Sequence, residues 1–221
     1  MPFLLKYRSK QIMKLKFAIF FGLLLIVSCN NSEIELKTKA QNQNTPAVQD
    51  KLKQKAAILT ELHDEKNCKE FINAFPNNFP EFNLLYGYDD EKGARLLYSK
   101  PEHITYFFDC SEVSALEKLK KSIEVGIDGK WDADLIAMFQ DGSFNLVKEH
   151  TDEAKEILNN LPDEKAASFW YFLFDSPHPN DKQNVRNFEL MQITLGKDSK
   201  QSRLLAEQFQ KLRDSDDGHG R

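Results

Sequence analysis

Residues 166–174, AASFWYFLF, limit what this chain can fold into. Ala166, Phe169, Trp170 and Leu173 recur at the helical period, and Tyr171, Phe172 and Phe174 cover most of the remaining circumference. A helix that is apolar nearly all round is stable only when other elements enclose it, so this one belongs at the centre of a core. Both its ends are marked. Pro162-Asp163-Glu164 puts acids in the first turn, where the helix dipole favours negative charge. Asp175-Ser176-Pro177-His178-Pro179 forbids continuation, because two prolines lack the N–H a further turn needs.

The rest of the polar region reads as amphipathic pieces able to wrap that helix. The folded domain begins near Ala47, where Val48, Leu52, Ala56, Ile58, Leu59 and Leu62 form a stripe at helical spacing. A second piece runs from about Asn67 through Phe71, Ile72 and Phe75 to Pro76. Pro80 sits in the first turn of the next, and Pro101 opens a fourth bearing Ile104, Tyr106, Phe107 and Phe108. Residues 111–125 place Val113, Leu116, Leu119 and Ile123 on one face, and Ser114 and Glu117 stand at capping-box spacing, as do Asp109 and Glu112. Trp131, Leu135, Met138 and Phe139 mark a helix expected to break at Asp141-Gly142. Thr151-Asp152-Glu153 then starts another with a capping hydroxyl. Residues 184–195 suit a helix or a strand, and residues 199–213 suit a helix carrying Leu205, Phe209 and Leu212. Ile123, Val125 and Ile127 alternate, which makes them the best place for a β element. The expected fold is all-α, an irregular helical bundle or array of about seven to nine helices with at most one short β element.

Upstream, Lys14 and Lys16 precede an apolar run over residues 17–27, closed by Ile26-Val27-Ser28-Cys29. This is the layout of a secretory signal. The run supplies about half of the roughly 20 residues a membrane span needs. Its closing residues resemble the lipobox of bacterial lipoproteins. The resemblance implies that the Cys29 thiol receives a diacylglycerol, that the chain is cut just before it, and that palmitate-type acyl chains on Cys29 hold the protein on a lipid bilayer. Glu33 and Glu35 resemble the acids that follow the lipidated cysteine in some Bacteroidota lipoproteins and direct surface display. The expected location is the bacterial outer membrane, on its periplasmic face by default, with surface exposure as the alternative.

The expected organisation is therefore a signal peptide over residues 1–28, with translation starting at Met13. A lipidated N-terminus and flexible tether follow over 29–47, then a single helical domain over 48–213 and a disordered tail over 214–221. The tether is rich in Asn, Gln, Thr and Lys and too poor in apolar residues to offset its ordering entropy. About twenty such residues reach roughly 25 Å.

Charge narrows the partners. The chain has 30 Lys and Arg against 34 Asp and Glu. Five of the basic residues and none of the acids precede Cys29, which leaves 25 basic against 34 acidic residues and a formal charge of −9. Such a module does not suit nucleic acid, whose recognition draws on clustered basic residues, nor lying flat on anionic lipid. Apart from Cys29 there are two cysteines, Cys68 and Cys110. They form one disulfide in an oxidising envelope or remain two buried thiols.

Chemical motifs are few. The five histidines are scattered, without His-x-x-x-His spacing, so no metal site is expected. Asp89-Asp90-Glu91 is contiguous, unlike the spaced oxygens of a calcium loop, and Gly126-Ile127-Asp128-Gly129-Lys130 lacks the spacing of a phosphate loop. No cofactor is expected. Asp175 and His178 share a rigid turn beside aromatic residues, a pairing able to do acid–base or metal work. Their bland reading is a helix-terminating loop whose polar groups cap and solvate. Three functions follow. The first is an envelope lipoprotein with a non-enzymatic helical domain that binds a protein partner. The second is an envelope hydrolase or metal-dependent enzyme using Asp175 and His178. The third is an immunity-like protein against a basic toxin domain, which the acidic, aromatic middle of the chain resembles.

Overall fold

The computed structural model describes residues 46–132 and 134–215. The signal peptide, Cys29, nearly all of the tether, and the tail beyond Ser215 lie outside the described residues. Ten helices and one two-stranded antiparallel hairpin make an all-α array among the described residues. The helices are α1 (Pro46–Asp64), α2 (Cys68–Ala74), α3 (Phe79–Tyr86), α4 (Pro101–Asp109) and α5 (Ala115–Gly126), then α6 (Asp134–Glu149), α7 (Thr151–Asn159), α8 (Asp163–Phe174), α9 (Lys182–Leu195) and α10 (Lys200–Asp214). The segment that suited either helix or strand is α9. No described helix is long and apolar enough to cross a membrane.

The starts of these helices follow from local chemistry. Ser114 and Glu117 form a reciprocal capping box at the start of α5: the Ser114 hydroxyl accepts from the Glu117 N–H at 3.2 Å, and the Glu117 carboxylate accepts from the Ser114 N–H at 3.1 Å. Asn67, Asn78, Asp181 and Ser199 each cap a helix with a side-chain oxygen.

Helix α8 is the hub. Ala166, Phe169, Trp170, Phe172, Leu173 and Phe174 are all buried. Along its length it packs against α10, α6 and α5. The Trp170 indole N–H donates to Gln201 of α10 at 2.9 Å, and Gln201 donates in turn to Asn159 at the end of α7 at 2.8 Å. A second aromatic cluster gathers at the N-terminal half of α6. There Phe139 meets Phe75, Phe82 and Phe107, with ring centroids 4.7–5.8 Å apart. Helix α6 thus joins two cores, since its Phe144, Leu146 and Val147 belong to the α8 side.

Three local expectations are corrected. First, α6 does not break at Asp141-Gly142. Gly142 is inside the helix, and the Phe108 ring occupies the space a side chain would need. Glycine's helix penalty of about 1 kcal/mol is offset by that close approach. Second, Ile123 and Val125 are helical rather than strand-like. Helix α5 is flanked by α3, α6, α7 and α8, so residues two apart both find a neighbour. The hairpin is instead Tyr88–Asp89 with Gly93–Ala94, flanking the contiguous acids Asp90 and Glu91. Asp89 shapes it by accepting the N–H groups of Glu91 and Lys92 at 3.0 and 2.8 Å and pairing with Arg95 at 2.8 Å. Third, Thr151 is not a cap. Helix α7 does start at Thr151, with Asp152 and Glu153 in its first turn, but the Thr151 hydroxyl donates back to the Val147 and Lys148 carbonyls, 3.0 Å each, instead of capping it.

Cys68 and Cys110 are joined by a disulfide, with Cα atoms 5.6 Å apart, tying the first residue of α2 to the end of α4. The Lys118 ammonium donates to the Phe108 and Cys110 carbonyls at 2.6 and 2.9 Å, a cation at the negative end of α4.

Candidate functional sites

Asp175 and His178 are given different surroundings by the loop that ends α8. Asp175 is 6 % exposed. Its N–H closes α8 on the Tyr171 carbonyl at 2.9 Å, its carboxylate accepts the Trp131 N–H at 2.8 Å, and its own carbonyl accepts from Gln140 at 2.9 Å. Asn184 adds bonds to the Phe174 and Pro179 carbonyls. The turn is therefore pinned from α6 and α9. His178 is exposed, and its carbonyl accepts the Asp181 N–H at the entry to α9. A shallow recess beside the turn is lined by Trp131, Gln140, Phe144, Asp175 and Ser176, without His178. The geometry gives Asp175 a structural task and does not join the two residues in one constellation. Nor do His103 and His150 join Asp175: His150 lies half-buried between α6 and α7.

His103 belongs to a buried cluster that sequence reasoning did not assemble. Its Nδ1 lies 3.2 Å from the Tyr86 hydroxyl, its ring centroid is 5.0 Å from His63, and Phe71 meets it edge-on at 5.4 Å. His103 Nε2 and the Tyr106 hydroxyl are buried without a hydrogen-bond partner. Burial, followed by the nearby His63, pushes the His103 imidazole down to about 4. Burial also raises the Tyr86 phenol well above its usual range, with Glu102 adding to the effect. At neutral pH both groups are uncharged, as an interior pair should be. The members come from α1, α2, α3 and α4. The one local trace in the sequence is the His103–Tyr106 spacing of three on one helix. Among the described residues no group of three or more His, Cys, Asp or Glu is placed to hold a metal ion.

A different kind of feature runs along α1. Lys53, Ala56, Ala57, Thr60, Glu61 and Asp64 form one flank of an open groove of about 630 Å3, and Leu96, Leu97 and Lys100 form the other. Its floor is apolar and its α1 flank has small side chains at the centre. Leu96 is 50 % exposed. The stripe Lys53, Ala56, Ala57, Thr60, Glu61 lies at i, i+3, i+4, i+7, i+8 and shares Ala56 with the buried stripe of the same helix, so one flank is readable from sequence. Its pairing with the 96–100 turn is not.

Comparison of the chain with family models, with curated proteins and with solved structures finds no match.

Proposed function

We propose that this chain is an envelope lipoprotein, anchored through acyl chains on Cys29, whose helical domain binds a protein partner and performs no catalysis. The observation that carries the binding half is the open apolar groove beside α1: a shallow surface with small side chains at its centre suits a macromolecule better than an enclosed small substrate. The positioning of Asp175 against the Trp131 N–H favours the same reading, because a carboxylate held there serves the fold. The anchor half rests on the lipobox-like residues 26–29, and the Cys68–Cys110 disulfide suits an oxidising compartment. Outer-membrane placement, on the periplasmic face, belongs to this proposal, as does the immunity-like version in which the partner is a basic toxin domain.

The test is crosslinked affinity capture with the full-length chain expressed in its own cell. A heterologous partner in stoichiometric amount that survives moderate salt, and that Asp175→Asn and His178→Ala variants still retain, is the expected result. A blank capture from envelope and secreted fractions overturns the reading.

A further inference from the structure

The groove beside α1 has a charge pattern that narrows its occupant. Glu61, Asp64 and Glu65 lie at its C-terminal end, where the α1 dipole is itself negative. Acids are unfavourable there, and cations are the usual complement. The cations within reach do not supply it. Lys66 has turned away and lies over the Tyr106 ring, 5.9 Å from its centroid. Lys100 reaches Glu102 at 3.4 Å, and Lys53 lies near Asp50 at the other end of the helix. Asp64 pairs with the neighbouring His63 at 3.2 Å, and Glu61 and Glu65 have no ion pair among the described residues. At the centre the exposed apolar side chains are Ala57 and Leu96, while Ala56 and Leu97, which also line the groove, are buried. The flank from Lys53 to Glu65 is about 18 Å long at the rise of a helix, matching about twelve residues of a second helix.

Resting on the protein-binding reading above, we infer that this groove receives a short cationic amphipathic helix of a partner protein. The apolar stripe of that helix lies on Ala57 and Leu96, and its Lys or Arg residues face Glu61, Asp64 and Glu65. Apolar contact supplies the seat, and the three acids set direction and exclude acidic helices.

The experiment places a photoreactive benzoylphenylalanine at Leu96 of the full-length chain in the cell, and separately at Ile193 on the exposed face of α9. Crosslinked peptides are identified by mass spectrometry. The expected result is a Leu96 adduct to a net-basic amphipathic segment of one heterologous protein. Its yield falls about tenfold in a Glu61→Lys, Glu65→Lys variant whose thermal melt is unchanged, the loss expected from replacing two attractions by repulsions. Three outcomes overturn the inference: adducts only to lipid or to a second copy of this chain, an acidic or neutral partner segment, or an adduct indifferent to the charge reversal. A silent Leu96 with a partner captured at Ile193 removes the groove and keeps the binding-domain reading. Silence at both positions, together with a blank affinity capture, removes both.

Discussion

Asp175 holds the Trp131 N–H from a buried position, and His178 stands in solvent. Their substitutions should therefore separate. Asp175→Ala leaves the part-buried Trp131 N–H without its acceptor and should cost about 1–3 kcal/mol in urea unfolding. Asp175→Asn keeps an acceptor and should cost less. His178→Ala should stay within about 0.5 kcal/mol, as exposed substitutions do. Equal losses from His178→Ala and Asp175→Ala would show the two acting as a unit. His103 makes a second prediction, on pH. Its folded imidazole is held at about 4 against the usual 6.5, so the unfolded chain binds that proton more readily. The stability this group contributes is complete above pH 6.5 and is lost as pH falls from there to about 4. The lowered carboxyls of Asp89, held down first by the Lys92 N–H, and Glu117, held down first by the Ser114 hydroxyl, lose their contribution only below the ordinary carboxylate range. Denaturation series at several pH values should show a decline between about pH 6.5 and 4.5 that His103→Gln flattens.

Helices carry the third prediction. Gly142 is where the Phe108 ring crosses α6, so Gly142→Ala should destabilise by about 1–3 kcal/mol despite alanine's better helix propensity. A thermal melt checks it, and a Gly142→Ala, Phe108→Leu double variant should recover part of the loss. The same site shows what the sequence could and could not convey. Caps, prolines and apolar periods are local signals, and they located α5, α8 and the proline-opened α3 and α4. Asp141-Gly142 reads as a break because glycine's cost is local, whereas the ring that offsets it arrives from another helix. Ile123, Val125 and Ile127 suggested a strand for a similar reason: burial on several sides blurs the helical period. At the candidate sites, Asp175 and His178 stood out by proximity along the chain. The His63–His103–Tyr86 cluster and the groove depend on elements meeting in space, which no spacing in the sequence encodes.

Across the whole molecule, the Cys68–Cys110 disulfide closes a loop over a sequence separation of 42 and ties α2 to the end of α4. Replacing both cysteines by alanine should lower stability by about 4 kcal/mol through the freed unfolded chain, read as a lower midpoint in urea. Wild type should match that midpoint in a reducing buffer. The anchor defines the remaining claim. The acidic charge from Cys29 onward, the polar tether sequence and the pinned helical array make one account if the chain hangs from lipid by its first mature residue. The most direct test is mass spectrometry of the N-terminal peptide of the full-length protein extracted from membranes. The account predicts a chain beginning at Cys29 whose thiol carries a diacylglycerol, and loss of membrane association in a Cys29→Ala variant. An unmodified Cys29 within a longer N-terminal peptide would contradict it.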